Sequence, residues 1–233
     1  MLQQTQTDRV IPYWKRWIEL WPSPNDLMQA SGEQVLKEWN GLGYNRRAMY
    51  LKECAKVIVR DFNGIVPDKP EILAKLPGIG QYTSGAIACF AYNYPSVFIE
   101  TNIRSVMLHF FFSGREGIND SEIIPLIEKT LDFSNPRKWY WALMDYGAAL
   151  KKQNHNPNRQ SAHYTRQSAF KGSFRQIRGS LVRALVSGGP ATVEELRTRM
   201  DVHGEENDFY KALAVLSKEL IVAEEDGKYR IKD

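Results

Sequence analysis

A chain of 233 residues, 43% hydrophobic and 25% charged, is long enough for one or two globular domains with a substantial core. Its longest apolar runs, such as residues 86–92, are far shorter than the roughly 20 residues of a membrane-spanning helix, and its polar first six residues do not resemble a secretory signal. These features argue against a membrane protein or a secreted one. Cys54 and Cys89 lack metal-ligand spacing, so we expect two small buried side chains in a reducing cytoplasm.

The net charge of +4 conceals an uneven distribution. Residues 137–183 hold ten lysines and arginines but a single acid, Asp145, and therefore carry a charge of +9. A cluster of this kind is what a polyanion-binding surface needs. A solvated basic linker is the alternative explanation.

Apolar residues at helical spacing organise the first 150 residues, where no confident alternating strand occurs. The predicted helices cover residues 4–21, a short segment ending at 30, a segment from 31 or 32 to 39, and then about 46–62, 101–112, 121–131 and 137–151. Ser23 or Asn25 caps the second of these. The first domain is therefore predicted to be mostly or wholly helical.

The C-terminal part changes character after a polar, basic stretch at 152–176. Helices are predicted over 175–187, from Thr192 to Met200 with a capping box to Glu195, and over 205–219. A hairpin with an Asp-Gly turn at 226–227 follows. Three helices and a hairpin occur in the order of a winged helix, which predicts domains at 1–151 and 175–233 joined by a basic linker at 152–174.

The stretch Leu76-Pro-Gly-Ile-Gly-Gln-Tyr-Thr83 ends one predicted helix and begins another. Pro77 does not continue the first helix, and Gly78 and Gly80 are expected to adopt positive φ in the turn. The backbone N–H groups at the start of the second helix then form an anion site. Taken alone, the motif is equally well explained as a simple turn.

Three stretches in this order resemble the helix-hairpin-helix (HhH-GPD, endonuclease III) DNA glycosylase superfamily. They are Met-Leu-Gln-Gln-Thr-Gln at residues 1–6, Trp-Asn-Gly-Leu-Gly-Tyr at 39–44 and Leu-Pro-Gly-Ile-Gly-Gln-Tyr-Thr-Ser-Gly-Ala-Ile at 76–87. Within the superfamily they are most similar to MutY-type adenine glycosylases of an iron–sulfur-cluster-free branch. The resemblance covers about two-thirds of the chain and implies a mainly α fold. The expected architecture is a helix-hairpin-helix glycosylase domain that lacks its N-terminal part, and the winged-helix-like domain follows it.

The resemblance implies a monofunctional base-excision glycosylase that hydrolyses the N-glycosidic bond of a mispaired base, with adenine opposite guanine or 8-oxoguanine as the first expectation. The implied partner is double-stranded DNA with a mismatched or damaged base, bound by a monomer in the cytoplasm, at the nucleoid, with no membrane. A thymine or uracil mismatch glycosylase is the alternative enzyme. A non-catalytic DNA-binding protein on the same scaffold is the alternative of another class.

A base inside a duplex must be extruded before it can be cut out, and the gap must be filled. The resemblance implies that Gln4 and Tyr44 wedge into the base stack, with Gln3 beside them. Gly78, Gly80, Gln81 and Thr83 of the hairpin are the remaining expected DNA-binding residues and hold a phosphate. The basic residues Arg46, Arg47 and Lys52 are candidates for further phosphate contacts. A solvated helix face explains these three basic residues almost equally well.

Glycosidic cleavage builds positive charge on the sugar, which a nearby carboxylate stabilises. In the superfamily this carboxylate is an aspartate, and Glu100 occupies the matching position, one methylene longer. The alternative is that Glu100 only caps a helix. Asn102 is implied as a supporting hydrogen-bonding residue. Tyr82 stands where bifunctional relatives carry a nucleophilic lysine, which argues against Schiff-base lyase chemistry.

Two features of the family are missing from this sequence. MutY-type enzymes use a further glutamate just before the Met-Leu-Gln-Gln motif, so either the start was placed too late or the chain lacks that acid. Many relatives also bind a 4Fe–4S cluster through four cysteines after the last domain helix, but residues 151–163 contain none. We therefore expect no cofactor and no metal, with His155 and His163 as phosphate contacts or surface residues.

Overall fold

The computed structural model describes residues 1–3, 5–152, 156–166, 169–202 and 206–233. Its contacts divide the chain into two compact units, Met1–Val66 with Ser168–Asp233, and Pro67–Gln167. The first unit contains seven described helices: α1 (Thr7–Leu20), α2 (Pro24–Gln29), α3 (Gly32–Trp39), α4 (Arg46–Phe62), α10 (Phe174–Gly188), α11 (Val193–Arg199) and α12 (Glu206–Lys218). The second contains five: α5 (Pro70–Leu73), α6 (Gln81–Tyr92), α7 (Thr101–Phe111), α8 (Asp120–Thr130) and α9 (Pro136–Lys152). The mainly α fold is thus confirmed.

Local capping sets several helix starts. Ser23 and Ser31 form capping boxes that begin α2 and α3, and Asn119 does the same for α8. The capping box predicted between Thr192 and Glu195 is present at the start of α11. Such side chains satisfy backbone N–H groups that a helix leaves without partners.

The first unit has one hydrophobic core made from both ends of the chain. Val35, Leu36 and Trp39 of α3 belong to the same buried cluster as Leu181 of α10 and other residues up to Val222. Trp39 also packs edge-on against Trp17 of α1, with ring centroids 5.5 Å apart. The C-terminal helices therefore complete the core of the N-terminal ones, and the contacts group the chain differently from the predicted domains, whose boundaries stay a prediction.

Two short antiparallel strands, β1 (Val222–Glu225) and β2 (Lys228–Ile231), form the predicted hairpin. Asp226 and Gly227 both have positive φ, as a two-residue hairpin turn requires. Ala191 bridges to Tyr229 through two backbone hydrogen bonds of 3.0 and 2.8 Å, which adds a third short segment to the sheet. The elements have the predicted order, while the assignment to the winged-helix class stays a prediction.

The second unit packs α7 against α9 around an aromatic centre. The rings of Phe98 and Tyr140 stack with centroids 4.0 Å apart. The buried Tyr140 hydroxyl donates to the Ser96 carbonyl at 2.9 Å and accepts from the Phe98 N–H at 3.2 Å. These contacts fix the extended segment that leads into α7.

A second contact fixes the start of α7 from the side of the predicted basic linker. Residues 157–160 form a 3₁₀ turn, in which the buried Asn158 amide donates to the Thr101 carbonyl at 3.0 Å and to the Ser105 hydroxyl. Ile118 and Ser161 form a bridge beside it. This part of the segment is packed against α7 because its polar side chains satisfy the helix backbone, and it is not a solvated linker.

The buried face of α1 is formed by Val10 and Trp17. Trp14 and Ile18 also lie at helical spacing in α1, but they are 53% and 47% exposed. No helix in the described part of the chain has the length and apolar character needed to cross a bilayer.

The shared core of the first unit generates a stability prediction. Leu181→Ala removes a fully buried side chain, and we expect it to lower the free energy of unfolding by about 2–5 kcal/mol in urea denaturation. Ile65→Ala, at a side chain that is 73% exposed in the same unit, is the control and should change it by less than about 0.5 kcal/mol. A small effect of Leu181→Ala would show that α10 contributes little to the core.

Candidate active site

The glycine hairpin lies between α5 and α6 in the second unit. Gly78 has φ of +74°, as predicted, so a side chain there would be strained. The same prediction was wrong for Gly80, which has φ of −87° and ψ of 177° because it is the N-cap residue of α6 and such residues are extended.

Gly80 is not required by the protein's own structure. A side chain can adopt its backbone conformation, and a Cβ added there would meet no atom within 4 Å. Among the described residues, no acceptor receives a hydrogen bond from the N–H groups of Gly78, Gly80 or Gln81. The hairpin therefore presents donors beside an open position, an arrangement suited to the close approach of an anion.

Glu100 is the N-cap residue of α7 and is half-buried. Its Oε1 accepts hydrogen bonds from the backbone N–H groups of Asn102 at 2.5 Å and Ile103 at 2.8 Å. Its second oxygen, Oε2, accepts none from any residue that the structure describes. Glu100 thus caps the helix and still has one oxygen available for chemistry.

Burial raises the pKa of Glu100 above that of an ordinary glutamate. The two backbone N–H groups and the positive charges of Lys151 and Arg104 act in the opposite direction and favour the carboxylate. A partly desolvated carboxyl group held by fixed dipoles is typical of catalytic sites.

Tyr82 lies in the first turn of α6, where its ring packs edge-on against Phe98 with centroids 5.8 Å apart. It is 36% exposed. Burial and the nearby charge of Glu100 raise the pKa of its hydroxyl, which is therefore protonated at neutral pH. The hydroxyl can donate a hydrogen bond near Glu100.

Lys151 is the residue that the sequence analysis missed. Its Nζ donates to Oδ1 of Asn102 at 2.8 Å, and its charge acts on Glu100. The contact depends on the approach of two helices that local sequence does not reveal: Gly147 lies one turn earlier, and a Cβ at Gly147 would overlap the Asn102 carbonyl. Lys151 lies on the same face as Gly147 and so reaches Asn102.

Arg104 and Asp120 join α7 to α8 beside this group. The guanidinium donates from Nε and Nη2 to the two carboxylate oxygens, both at 2.7 Å. This pairing holds the pKa of Asp120 below its usual value, with a smaller contribution from His163. Arg104 is thereby compensated by a carboxylate of its own.

The residues predicted to wedge into DNA or to contact its phosphates lie in the first unit, apart from those of the glycine hairpin, which lies in the second. Tyr44 has φ of +50°, is 47% exposed and accepts a hydrogen bond from Arg175 at 3.5 Å. Gln3 is exposed, and Gln4 lies outside the described residues. Arg46 is half-exposed and lies over the Tyr50 ring.

Arg47 and Lys52 are not on a solvated helix face. Arg47 donates to the carbonyls of Met1, Leu42 and Gly43 at 3.3–3.5 Å, and burial lowers its pKa. Lys52 is 3% exposed, so in this structure it is too buried for a phosphate contact. The Lys52 expectation was wrong because α4 turns this face toward the core.

The basic segment at 137–183 is partly neutralised by residues distant in sequence. Arg178 pairs with Glu219, and Arg183 pairs with both oxygens of Asp201 at 2.9 Å. The charge of +9 along the sequence therefore overstates the charge that its surface presents.

The structure brings Tyr82, Glu100 and Asn102 together with Lys151 in the second unit. The other predicted residues of that unit, Gly78, Gly80, Gln81 and Thr83, belong to the hairpin at the start of α6. Gln3, Tyr44, Arg46 and Arg47 belong to the first unit.

Comparisons with known proteins find the following. A model of the HhH-GPD superfamily of base excision DNA repair proteins matches residues 1–130. An adenine DNA glycosylase of Mycobacterium tuberculosis is 33% identical over 260 aligned residues, covering 99% of this chain and 82% of that protein. An adenine DNA glycosylase of Mycolicibacterium smegmatis is 38% identical over 152 residues, covering 64% of this chain and 52% of that protein. The solved structure of a thermostable thymine-DNA glycosylase has a TM-score of 0.58 at 26% identity, covering 63% of this chain and 69% of that chain.

The raised pKa of Glu100 predicts a stability gain for Glu100→Gln. Above the pKa of the folded protein, wild type bears the cost of a half-buried charge that the amide does not bear, while the amide oxygen still caps α7. We expect a higher melting temperature for Glu100→Gln at neutral pH. The gain should vanish below the ordinary pKa of glutamate, where both side chains are neutral. Calorimetry at the two pH values checks this, and a loss of stability at neutral pH would show that capping by the charge outweighs its burial.

Proposed function

The chain belongs to the HhH-GPD superfamily of base excision DNA repair proteins, and we propose that it is a monofunctional DNA glycosylase that removes adenine opposite guanine or 8-oxoguanine. The observation that carries the proposal is the Glu100 carboxyl group, which is half-buried, fixed by the α7 backbone through Oε1, and unengaged at Oε2 among the described residues. Adenine is proposed as the base because the two mycobacterial relatives are adenine DNA glycosylases.

Glu100 acts on the sugar of the extruded nucleotide. As the N-glycosidic bond breaks, its electron pair leaves with the base, which takes a proton from solvent, and positive charge develops on the sugar. The carboxylate at Oε2 stabilises that charge or takes a proton from the water whose oxygen bonds to the sugar carbon. Because Oε1 is held by two backbone N–H groups, little reorganisation is needed during the reaction. Asn102 and Tyr82 position the sugar and the water by hydrogen bonds.

Tyr82 supports hydrolysis without a lyase step. Its hydroxyl is protonated at neutral pH because burial and Glu100 raise its pKa, so it is a hydrogen-bond donor and a poor nucleophile. A Schiff base requires an amine at the sugar, and we assign none to the reaction.

The hairpin binds the DNA backbone. The N–H groups of Gly78, Gly80 and Gln81 contact a phosphate, with Thr83 next to them, and the open space at Gly80 admits the strand. In the first unit we propose Gln3, Gln4 and Tyr44 as the wedge and Arg46 as a phosphate contact. Arg47 supports the turn that carries Tyr44 through its carbonyl contacts. The protein acts on chromosomal DNA as a monomer.

The residues of this chain do not fit a 4Fe–4S cluster. Such a cluster needs four thiolates, whereas the chain has two cysteines, and burial raises the pKa of both Cys54 and Cys89 to about 11. We propose that the packed turn around Asn158 stabilises the region instead, with no cofactor. Iron analysis of the purified protein checks this.

One observation favours a second enzyme function. The structure with a TM-score of 0.58 is that of a thymine-DNA glycosylase, so thymine or uracil opposite guanine is the alternative substrate. A non-catalytic DNA-binding role remains the alternative of another class.

A single-turnover assay tests the proposed reaction. Wild type should release base from duplexes with A·8-oxoguanine and A·G pairs, read out as alkali-labile abasic sites. Glu100→Gln should reduce the rate about 100-fold or more, because it removes the carboxylate but keeps the cap. Glu116→Gln, at an exposed glutamate of the same unit, is the control and should react like wild type.

Three results would contradict parts of this proposal. Product from T·G or U·G duplexes alone would assign the alternative base. Tight binding without product from any duplex would leave a DNA-binding protein. An unchanged rate in Glu100→Gln would remove Glu100 from the catalytic role.

Alanine substitutions at Gly78 and Gly80 should distinguish effects on stability from effects on DNA binding. Gly80→Ala should raise stability by about 0.4–1 kcal/mol, because it restricts the unfolded chain. It should weaken binding of the duplex about tenfold, because the added methyl group obstructs the phosphate. Gly78→Ala should cost about 1 kcal/mol of stability, because its φ is positive. Fluorescence anisotropy and urea denaturation measure the two effects. Unaltered affinity in Gly80→Ala would exclude the hairpin as a close backbone contact.

A further inference from the structure

We propose that Lys151 is a positioning residue of the active site, which fixes the Asn102 amide as a hydrogen-bond donor to the substrate or the attacking water and places a positive charge beside Glu100. The inference rests on the proposed glycosylase function and extends it to a residue outside the helix-hairpin-helix motif. It depends on a direct contact, Lys151 Nζ to Asn102 Oδ1 at 2.8 Å.

The packing of α9 on α7 delivers Lys151 to this place. At Gly147 the two backbones approach so closely that a Cβ would overlap the Asn102 carbonyl. Lys151 lies one helical turn after Gly147 on the same face of α9, so its side chain reaches Asn102 where the two helices are close. The contact is thus set by two rigid helices rather than by a loop.

The chemistry of the ammonium group determines which way Asn102 faces. An ammonium group has donors and no acceptor, so the atom of Asn102 that it contacts is the amide oxygen. The Nδ2 group then points away from Lys151, and among the described residues nothing accepts its hydrogen bonds. Nδ2 can donate to an oxygen or nitrogen acceptor of the extruded nucleotide, or to water.

Lys151 is also a cation beside Glu100, and it has no carboxylate partner of its own among the residues that the structure describes. The charged or titratable groups that act on Glu100 or its neighbours are Tyr82 from α6, Arg104 from α7 and Lys151 from α9. Arg104 is paired bidentately with Asp120, which in turn interacts with His163. No described carboxylate pairs with Lys151 in this way, so its charge acts on Glu100 with less compensation.

The competing explanation is that Lys151 only stabilises the C-terminus of α9 by its charge. Lys152 offers a matched control, because it lies in the same last turn but is exposed and makes no contact with the described part of the active site. Both lysines should stabilise the C-terminus of α9 equally by their charge, whereas only Lys151 contacts Asn102.

The first experiment measures single-turnover base release as a function of pH for Lys151→Met, Lys151→Arg and Lys152→Met. We expect Lys151→Met to be about 10- to 100-fold slower at neutral pH, with the acidic limb of its pH profile moved to higher pH, because Glu100 loses a nearby positive charge. Lys151→Arg, which keeps a donor and a charge, should recover most of the rate. Lys152→Met should behave like wild type.

A double-mutant comparison tests whether Lys151 acts through Asn102. Lys151→Met should slow wild type more than it slows Asn102→Ala, because the amide to be positioned is then absent. An equal slowing in both backgrounds would overturn the positioning role. The positioning role would also be overturned if wild type cleaved the DNA strand and was trapped on it by borohydride, and Lys151→Met abolished both. Lys151 would then be a nucleophile.

A measurement without substrate separates this inference from the proposed function. The Glu100 carboxyl carbon is followed by NMR in labelled protein, with Glu100→Gln identifying its signal. Its pKa should rise in Lys151→Met and stay unchanged in Lys152→Met. A pKa that does not respond to Lys151→Met would overturn the inference even if the enzyme is active. A response in a protein inactive on every duplex would support the contact and refute the glycosylase function.

Discussion

The pairing of the Glu100 carboxylate with the first backbone N–H groups of α7 is the interaction on which the active site depends. It satisfies donors that the helix would otherwise leave open, and hydrogen bonds to a charged group contribute about 1.5–3 kcal/mol each. Burial of the same group opposes ionisation. The result is a carboxylate that is rigidly held, incompletely solvated and available at one oxygen, a state that requires α7 to stay fixed.

Three separate contacts hold the start of α7. The Tyr140 hydroxyl binds the strand-like segment before it, Asn158 binds the Thr101 carbonyl and Ser105, and Gly147 allows α9 to lie directly on Asn102. Two of these contacts come from α9, which carries Tyr140 and Gly147, and the third comes from the 3₁₀ turn at 157–160. The active site therefore depends on the packing of α9 and of this turn against α7, in addition to the glycine hairpin.

The helices were largely predictable from the sequence because apolar spacing and capping residues are local signals. The bounds of α4, Arg46–Phe62, and the capping box at Thr192 agree with the prediction. Glu100, Tyr82 and Asn102 were named from motif resemblance, and the structure brings them together in the second unit, while their catalytic roles stay proposals. Local sequence patterns do not show which residues meet in the folded protein. Lys151 was read as part of a basic run, the polar turn at Asn158 as linker, and the C-terminal helices as a separate domain, because each acquires its role from a partner far away in sequence.

Gly80 has a consequence for how sequences of this kind evolve. Neither the backbone conformation nor the neighbouring atoms of the folded protein require glycine there, and glycine lowers stability by increasing the freedom of the unfolded chain. A population under selection for folding alone would replace this glycine with residues that have a side chain. Its retention in a lineage would record continued selection by an external partner, and its replacement would be an early sign that the ancestral DNA contact has been abandoned.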